Sequence, residues 1–290
     1  MKYQITHRTV YSYAAPVTVS HHAARLQPLV GAGQECSGFH LSIQPKPAVR
    51  TTRADSFGNH VCFFSIQEIH RHLEVVATST VQVRGIPAFA PALSPAWETV
   101  TAAFQDGASP EHLEAWQFIY DSTQIRCSPE LADFARPCFP EGQPILIAVA
   151  ALMSQIHREF TYDSQATTVS TPVEEVFRLR RGVCQDFAHL AIACLRSLGL
   201  PARYVSGYLR TQPKPGEERL IGADASHAWF SVYAPGCGWV DFDPTNDMLP
   251  DREHIAVASG RDFSDVSPVS GMIVGGGQHH VGVSVDVQPV

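Results

Sequence analysis

A thiol, an imidazole and a carboxylate stand in this chain in an order that suits nucleophilic catalysis. Cys184 follows Arg180-Arg181-Gly182-Val183 and opens a run of helix-forming residues. A helix N-terminus presents unpaired N–H groups and a partial positive charge, which stabilise a thiolate and can supply part of an oxyanion hole. A thiolate nucleophile needs a base close in space rather than in sequence. His227 heads the strand-like segment His227-Ala228-Trp229-Phe230, and Asp243 closes Gly238-Trp239-Val240-Asp241-Phe242-Asp243. If these two strands pair through the turn Pro235-Gly236-Cys237-Gly238, His227 and Asp243 lie at one end of a hairpin. Asp243 can then accept a hydrogen bond from the imidazole and hold its tautomer.

Each of these residues has a plainer reading. His227 taken alone is better explained as a satisfied core histidine. Asp243 stands before Pro244 and can be a turn former. Asp241 competes with Asp243, because alternation puts both on one face. Cys194, in Ala191-Ile192-Ala193-Cys194-Leu195, reads as core. Asp186 reads as a favourable first-turn charge on the helix, and Trp229 and Trp239 as packing residues. The Cys184 backbone N–H is the first candidate for the oxyanion hole; Gln185 and Tyr162 are the side-chain candidates to complete it.

The fourteen histidines include His21-His22, His70-x-His72 and His279-His280, but no His-Glu-x-x-His and no cysteine at ligand spacing. No metal and no cofactor is expected. Gly275-Gly276-Gly277 lacks the Lys-Ser/Thr of a phosphate loop and reads as a turn. The seven cysteines are odd in number and irregular in spacing, with no Cys-x-x-Cys, so a disulfide framework is not expected.

These residues need elements to position them. Residues 1–85 read as β, with strands near 3–11, 38–44, 61–66 and 73–83 separated by turn residues. That spacing suggests a β-sandwich or a small antiparallel sheet. A Pro-rich linker, residues 86–105, marks the boundary, with three prolines between Gly85 and Pro95. Residues 106–290 read as an α+β core carrying a C-terminal strand. Its helices start at Ser109-Pro110-Glu111, run over 145–160, open at the capping box Thr171-Pro172-Val173-Glu174 with Gly182 as the stop, and run over 184–198. Strands at 202–209, 228–233 and 239–242 follow.

The chain has 290 residues, is 44% hydrophobic and 17% charged, and carries a formal net charge of −7. That is enough to bury real cores. It has no Lys/Arg-rich run, so neither nucleic acid nor an acidic membrane is an expected partner. The first twenty residues alternate rather than forming an apolar stretch, and no apolar run reaches the ~18 residues a membrane helix needs. The expected location is the cytoplasm.

Three blocks carry a resemblance. Arg181-Gly182-Val183-Cys184-Gln185-Asp186-Phe187-Ala188 resembles the Gly-x-Cys-x-[Asp/Glu/aromatic]-Phe-Ala segment of the transglutaminase-like superfamily. His227-Ala228-Trp229-Phe230-Ser231-Val232-Tyr233 resembles its His-Ala-Trp-x-Glu-Val-Tyr segment, with Ser231 where many relatives have Glu. Gly238-Trp239 through Asp243-Pro244-Thr245 is similar to its third block. His7-Arg8-Thr9-x-Tyr11-x-Tyr13 followed by Pro16-Val17 is similar to the β-domain that precedes the core in bacterial members. The resemblance implies an N-terminal antiparallel β-sandwich, a papain-like α+β core and a Cys184, His227, Asp243 triad. It selects Asp243 over Asp241. The implied activity is cleavage of peptide or isopeptide amides in a peptide or protein substrate through a thioester. Two alternatives are amine transfer to protein glutamine and a noncatalytic binding module. Such modules usually lose the cysteine or histidine, and here all three positions are filled. No Asp-x-Asp-x-Asp-Gly calcium loop is present, which favours hydrolysis over crosslinking.

Overall fold

The structure, a computed structural model, describes residues 1–31, 33–85, 90–105, 112–210 and 225–290. It opens on β1 (Lys2–Ala24), a strand of 23 residues whose first half alternates inward and outward, with Tyr3, Ile5, His7 and Thr9 buried. The strands β2 (Gln34–Gln44), β3 (Val49–Ala54), β4 (His60–Ile66) and β5 (His70–Val83) follow. They form one antiparallel sheet in the order β2-β5-β1-β4-β3. The expected sandwich is therefore a single sheet that curls on itself. Its two halves meet on β1, which pairs with β5 up to Ser12 and with β4 from Ser20. The register breaks between Ser12 and Val17, around Pro16, which has no N–H to give a ladder. Leu41, Phe64, Ile66, Leu73 and Val75 fill the inside of the curl.

The core begins inside the segment expected to be linker. Helix α1 (Trp97–Gln105) buries Val100 and Phe104, four residues apart on one face. The expected helix start at Ser109-Pro110-Glu111 lies outside the described residues. The helices α2 (Leu113–Trp116), α3 (Pro129–Ala135) and α4 (Ile145–Glu159) come next. A short parallel pair, β6 (Thr161–Tyr162) and β7 (Arg181–Gly182), brackets α5 (Val173–Leu179). The capping box expected at 171–174 does not form: Pro172 is the N-cap, without a side-chain bond, and Thr171 Oγ1 accepts from Thr168 N–H instead. Gly182 is also not the stop. Arg180 ends α5 in the left-handed region at φ 54°, its guanidinium held over the rings of Phe134, Phe160 and Phe177 at 4.3–5.0 Å.

Helix α6 (Cys184–Ser197) is buried from Asp186 to Arg196 and packs on the core sheet. That sheet runs β10-β9-β8-β11, made of β8 (Ala202–Leu209), β9 (Ala225–Ala234), β10 (Gly238–Phe242) and β11 (His254–Gly260), all antiparallel. Ala228, Phe230 and Val232 of β9 join Phe187, Leu190, Ala191 and Cys194 of α6 in one apolar core. After α7 (Phe263–Val266) the chain returns to the first sheet. There β12 (Val269–Gly275) and β13 (His279–Pro289) both pair with β1. The C-terminal strand, expected with the core, thus belongs to the N-terminal sheet. Among the described residues no helix is long and apolar enough to cross a membrane.

Candidate active site

Cys184 is the first residue of α6, with Val183 as N-cap. The approach to it is built by Asp186, whose Oδ2 accepts from Val183 N–H at 2.8 Å and from Thr167 Oγ1 at 2.6 Å. Asp186 is 2% exposed and burial raises its pKa, so it is a buried capping group rather than a solvated first-turn charge. Its carboxylate lies against the Gly182 Cα: a Cβ at 182 would stand 2.6 Å from Asp186 Oδ2. Glycine is required there by close approach, not by backbone torsion.

The strand β9 begins two residues before His227, and the hairpin expected from the sequence forms, with Ser231 opposite Asp241 and Phe230 opposite Phe242. Pairing stops at Phe242, so the two aspartates diverge. Asp241 Oδ1 accepts a hydrogen bond from Ser231 Oγ. Asp243 is fully buried and turns to the imidazole: His227 Nε2 and Asp243 Oδ2 are 2.8 Å apart. Cys184 acts on the same imidazole: with Asp243 it raises the His227 pKa. With Nε2 committed to Asp243, Nδ1 is the ring nitrogen left for another partner. The three predicted residues are therefore brought together as thiol, imidazole and carboxylate.

The electrostatics follow from these contacts. Burial acts to lower the His227 pKa, but the hydrogen bonds to Asp243 and Cys184 outweigh it and raise the pKa from 6.5 to about 9. Burial acts to raise that of Asp243, yet bonds from His227 and then His254 hold it well below the usual carboxylate range. Asp243 is unusually well supplied with donors. Its Oδ1 accepts from the backbone N–H of Thr245 at 3.0 Å and of Asn246 at 3.3 Å, while Oδ2 also accepts from Asn246 Nδ2 at 2.7 Å and His254 Nε2 at 3.1 Å. Oδ1 thus serves the turn that follows, and Oδ2 takes the side-chain donors, His227 among them.

The side-chain oxyanion candidates fare differently. Gln185 Nε2 donates to the Val169 carbonyl at 3.0 Å, which turns its amide towards the loop before α5. Tyr162, on β6 opposite Gly182, is exposed; burial and then the nearby Cys184 raise its pKa, which places it in the thiol's electrostatic surroundings. Cys194 is fully buried, and burial pushes its thiol far up. Trp229 is buried with its ring centroid 6.1 Å from that of His227, and the Arg203 guanidinium lies 4.3 Å from the Trp239 ring centre.

Sequence reasoning missed His254 and Asn246. Asn246 could have been found, since Asp243-Pro244-Thr245-Asn246 has the composition of an Asx turn. His254 lies in no motif and arrives through strand pairing. Its ring packs edge-on against Trp229, centroids 5.3 Å apart at 86°. His227, Asp243 and His254 form the one group among the described residues whose ligand atoms lie close enough together to hold a metal ion. Both imidazole Nε2 atoms already share Asp243 Oδ2, so a cation there would displace both hydrogen bonds. A cavity of about 590 Å³ lies behind this cluster, lined by Phe57, Arg203, Trp229, Trp239, Asp241 and His254 among others.

Residues 3–82 match the bacterial transglutaminase-like N-terminal region, and residues 133–244 match the transglutaminase-like superfamily. The chain belongs to the transglutaminase-like superfamily. It is 42% identical to an uncharacterised protein of Mycobacterium tuberculosis over 99% of this chain and 93% of that one. A shorter stretch, 42% of this chain and 18% of the other, is 32% identical to a protein-glutamine gamma-glutamyltransferase of Pseudomonas aeruginosa. The fold is shared with a crystal structure named "Putative Cysteine Protease from Cytophaga hutchinsonii", at a TM-score of 0.75 and 22% identity, over 100% of this chain and 91% of that one.

Proposed function

We propose that this protein is a cysteine-dependent acyl-transfer enzyme that cleaves peptide or isopeptide amides through a thioester. The observation that carries the reading is the buried His227, bonded through Nε2 to Asp243, with Cys184 at a helix N-terminus raising the pKa of the same imidazole. Cys184 Sγ attacks the amide carbon, and the Cys184 backbone N–H supports the developing oxyanion. The C–N bond breaks as the His227 imidazolium protonates the leaving nitrogen. His227, now neutral, takes a proton from water as that water attacks the thioester, and the product acid leaves with Cys184 restored. Asp243 stays ionised throughout and fixes which nitrogen of His227 faces the thiol.

Amine transfer to protein glutamine is the second reading. It is favoured by the identity shared with the gamma-glutamyltransferase over part of the core. The two activities share every step up to the thioester. Incubating the protein with a glutamine-containing peptide and hydroxylamine separates them. Peptide hydroxamate without matching hydrolysis would sink the hydrolase reading; hydrolysis that hydroxylamine does not divert supports it. A Cys184→Ala variant that keeps either activity would overturn the nucleophile.

A further inference from the structure

Resting on that acyl-transfer reading, the geometry points to a fourth working member of the site. We propose that His254 is a positioning residue of the triad, sharing the Asp243 carboxylate with His227, and that the N-terminal domain holds it in register.

Three donors converge on one oxygen. His227 Nε2 at 2.8 Å, Asn246 Nδ2 at 2.7 Å and His254 Nε2 at 3.1 Å all reach Asp243 Oδ2. An ionised carboxylate offers about two lone-pair directions per oxygen, so three donors on one oxygen compete. Every bond that His254 makes to Oδ2 weakens the one that His227 makes. His254 therefore limits how firmly Asp243 holds the His227 proton, which matters because His227 must release its proton at Nδ1 to the leaving nitrogen. The His254 ring is 4% exposed, and its Nδ1 is buried without a partner. Its hydrogen bonding is thus directed at the carboxylate.

The first domain controls where that ring sits. β11 is an edge of the core sheet, bonded to β8 on one side. On the other side two side-chain amides take the place of a neighbouring strand. Gln34 Oε1 accepts from Ala256 N–H at 2.9 Å while its Nε2 donates to the Ala256 carbonyl at 2.8 Å. Asn59 Oδ1 accepts from Ser259 N–H at 2.8 Å while its Nδ2 donates to the Ser259 carbonyl at 2.8 Å. Asn59 is fully buried, and Asp55 Oδ1 accepts its backbone N–H. His254 lies two residues before Ala256, so holding Ala256 fixes the point at which the imidazole meets Asp243. The titratable groups facing His227 are Cys184, Asp243 and His254; across the cavity His254 is accompanied by Asp241, Asp251 and Arg203.

The test is the titration of the His227 ring by heteronuclear NMR, with the pH profile of Cys184 alkylation beside it. In the wild type His227 should titrate well above an ordinary imidazole. His254→Leu removes one competitor and should move that titration up by about one pH unit, a tenfold change in proton affinity. His254→Gln, which keeps an amide donor, should restore it. Gln34→Ala with Asn59→Ala should move it in the same direction by a smaller amount, and decides the matter if His254→Leu does not fold. A His227 titration that stays put or falls in these variants, with melting temperature alone reduced, would make His254 structural and overturn the inference while leaving the triad standing. A wild-type His227 that titrates at an ordinary value, beside a Cys184 no faster than the other thiols, removes the acyl-transfer reading and this inference with it.

Discussion

Replacing Asp243 by Asn should separate the contribution of the carboxylate from that of the fold. The His227 pKa stands at about 9 against an ordinary 6.5, despite burial that acts in the opposite sense. At 1.36 kcal/mol per pH unit the net preference for imidazolium is about 3 kcal/mol. Asp243 and Cys184 supply it together, so Asp243→Asn should remove the larger part. At pH 8 the imidazolium fraction of His227, and with it the thiolate–imidazolium pair, should then drop by about tenfold, taking the loss as about two pH units. The amide must also set one donor against the donors around it, because both carboxylate oxygens only accept. That should destabilise the protein by about 1–3 kcal/mol.

The assay is iodoacetamide labelling of each thiol, read by peptide mass spectrometry, with the rate at pH 8 divided by the rate at pH 10. Near pH 10 an accessible thiol is ionised whatever its partner, so the ratio reports the pairing and not access to the site. The buried Cys62 and Cys194 report unfolding if they begin to label. A ratio for Cys184 in Asp243→Asn within threefold of the wild type, with those two thiols silent, would refute the claim that Asp243 stabilises the charged pair.

Further outcomes follow from close approaches and buried histidines. Gly182→Ala should push the Asp186 carboxylate off Val183 N–H, since the new Cβ would stand 2.6 Å from Oδ2. A stability loss of about 1–3 kcal/mol by urea titration and slower labelling of Cys184 are expected, and an unchanged midpoint would discredit this role for Asp186. Gly207→Ala should drive its Cβ into the Ile255 carbonyl of β11 and to 2.5 Å from Trp229 Cη2, displacing both the strand that carries His254 and the ring on which His254 packs. Its His227 titration should move as in His254→Leu; identity with the wild type counts against the packing argument. Burial lowers His7 and His189 to about 4. The unfolded chain therefore binds more protons between about pH 6.5 and pH 4, and stability should fall as pH drops through that window and level off below it. Each can contribute up to about 3 kcal/mol; a urea midpoint flat from pH 7 to pH 4.5 would contradict it.

The grouping of Cys184, His227 and Asp243 was legible because each stands at the end of an element with local punctuation around it. Val183 precedes a run of helix formers, His227 lies near the start of β9, and Asp243 precedes a proline. What joined them was one hairpin, the most local of tertiary contacts, and its turn residues are explicit at 235–238. Misreadings arose where a local rule met a longer-range one. Gly182 looked like a helix stop, yet the left-handed residue is Arg180, stabilised by three aromatic rings from α3, α5 and the end of α4. Thr171 to Glu174 has the letters of a capping box, yet Pro172 takes the cap position. β3 was missed because all six of its residues are exposed and no alternation marks it. The strand β1 runs on past Pro16 because different neighbours pair with its two halves. His254 was invisible for the same reason: its place depends on β11 pairing with β8 and on a grip from residues about two hundred positions away.

That dependence changes how the two family segments relate. A division at the Pro-rich stretch treats residues 3–82 as an appendage to residues 133–244. The chain path does not permit that separation. After β11 it runs through α7 into β12 and β13, and both complete the first sheet by pairing with β1. The interface is also apolar: Tyr3, Ile5, Val81 and Val83 of the first sheet bury Tyr208, Ile255 and Val257 of the core together with Val285 and Val287 of the returning strand. Tyr208 is pinned from the other side by His7 Nδ1 at 2.9 Å. The edge strand that carries His254 is thus held by an apolar cluster, by two side-chain amides and by the covalent return of the chain. A carboxylate buried without access to water needs every donor placed correctly, because an ionised group in the interior is tolerated only when its hydrogen bonds are complete. The first sheet supplies none of those donors itself. It fixes the strand that supplies one of them, and this gives the first sheet a physical link to the cluster around His227 and Asp243.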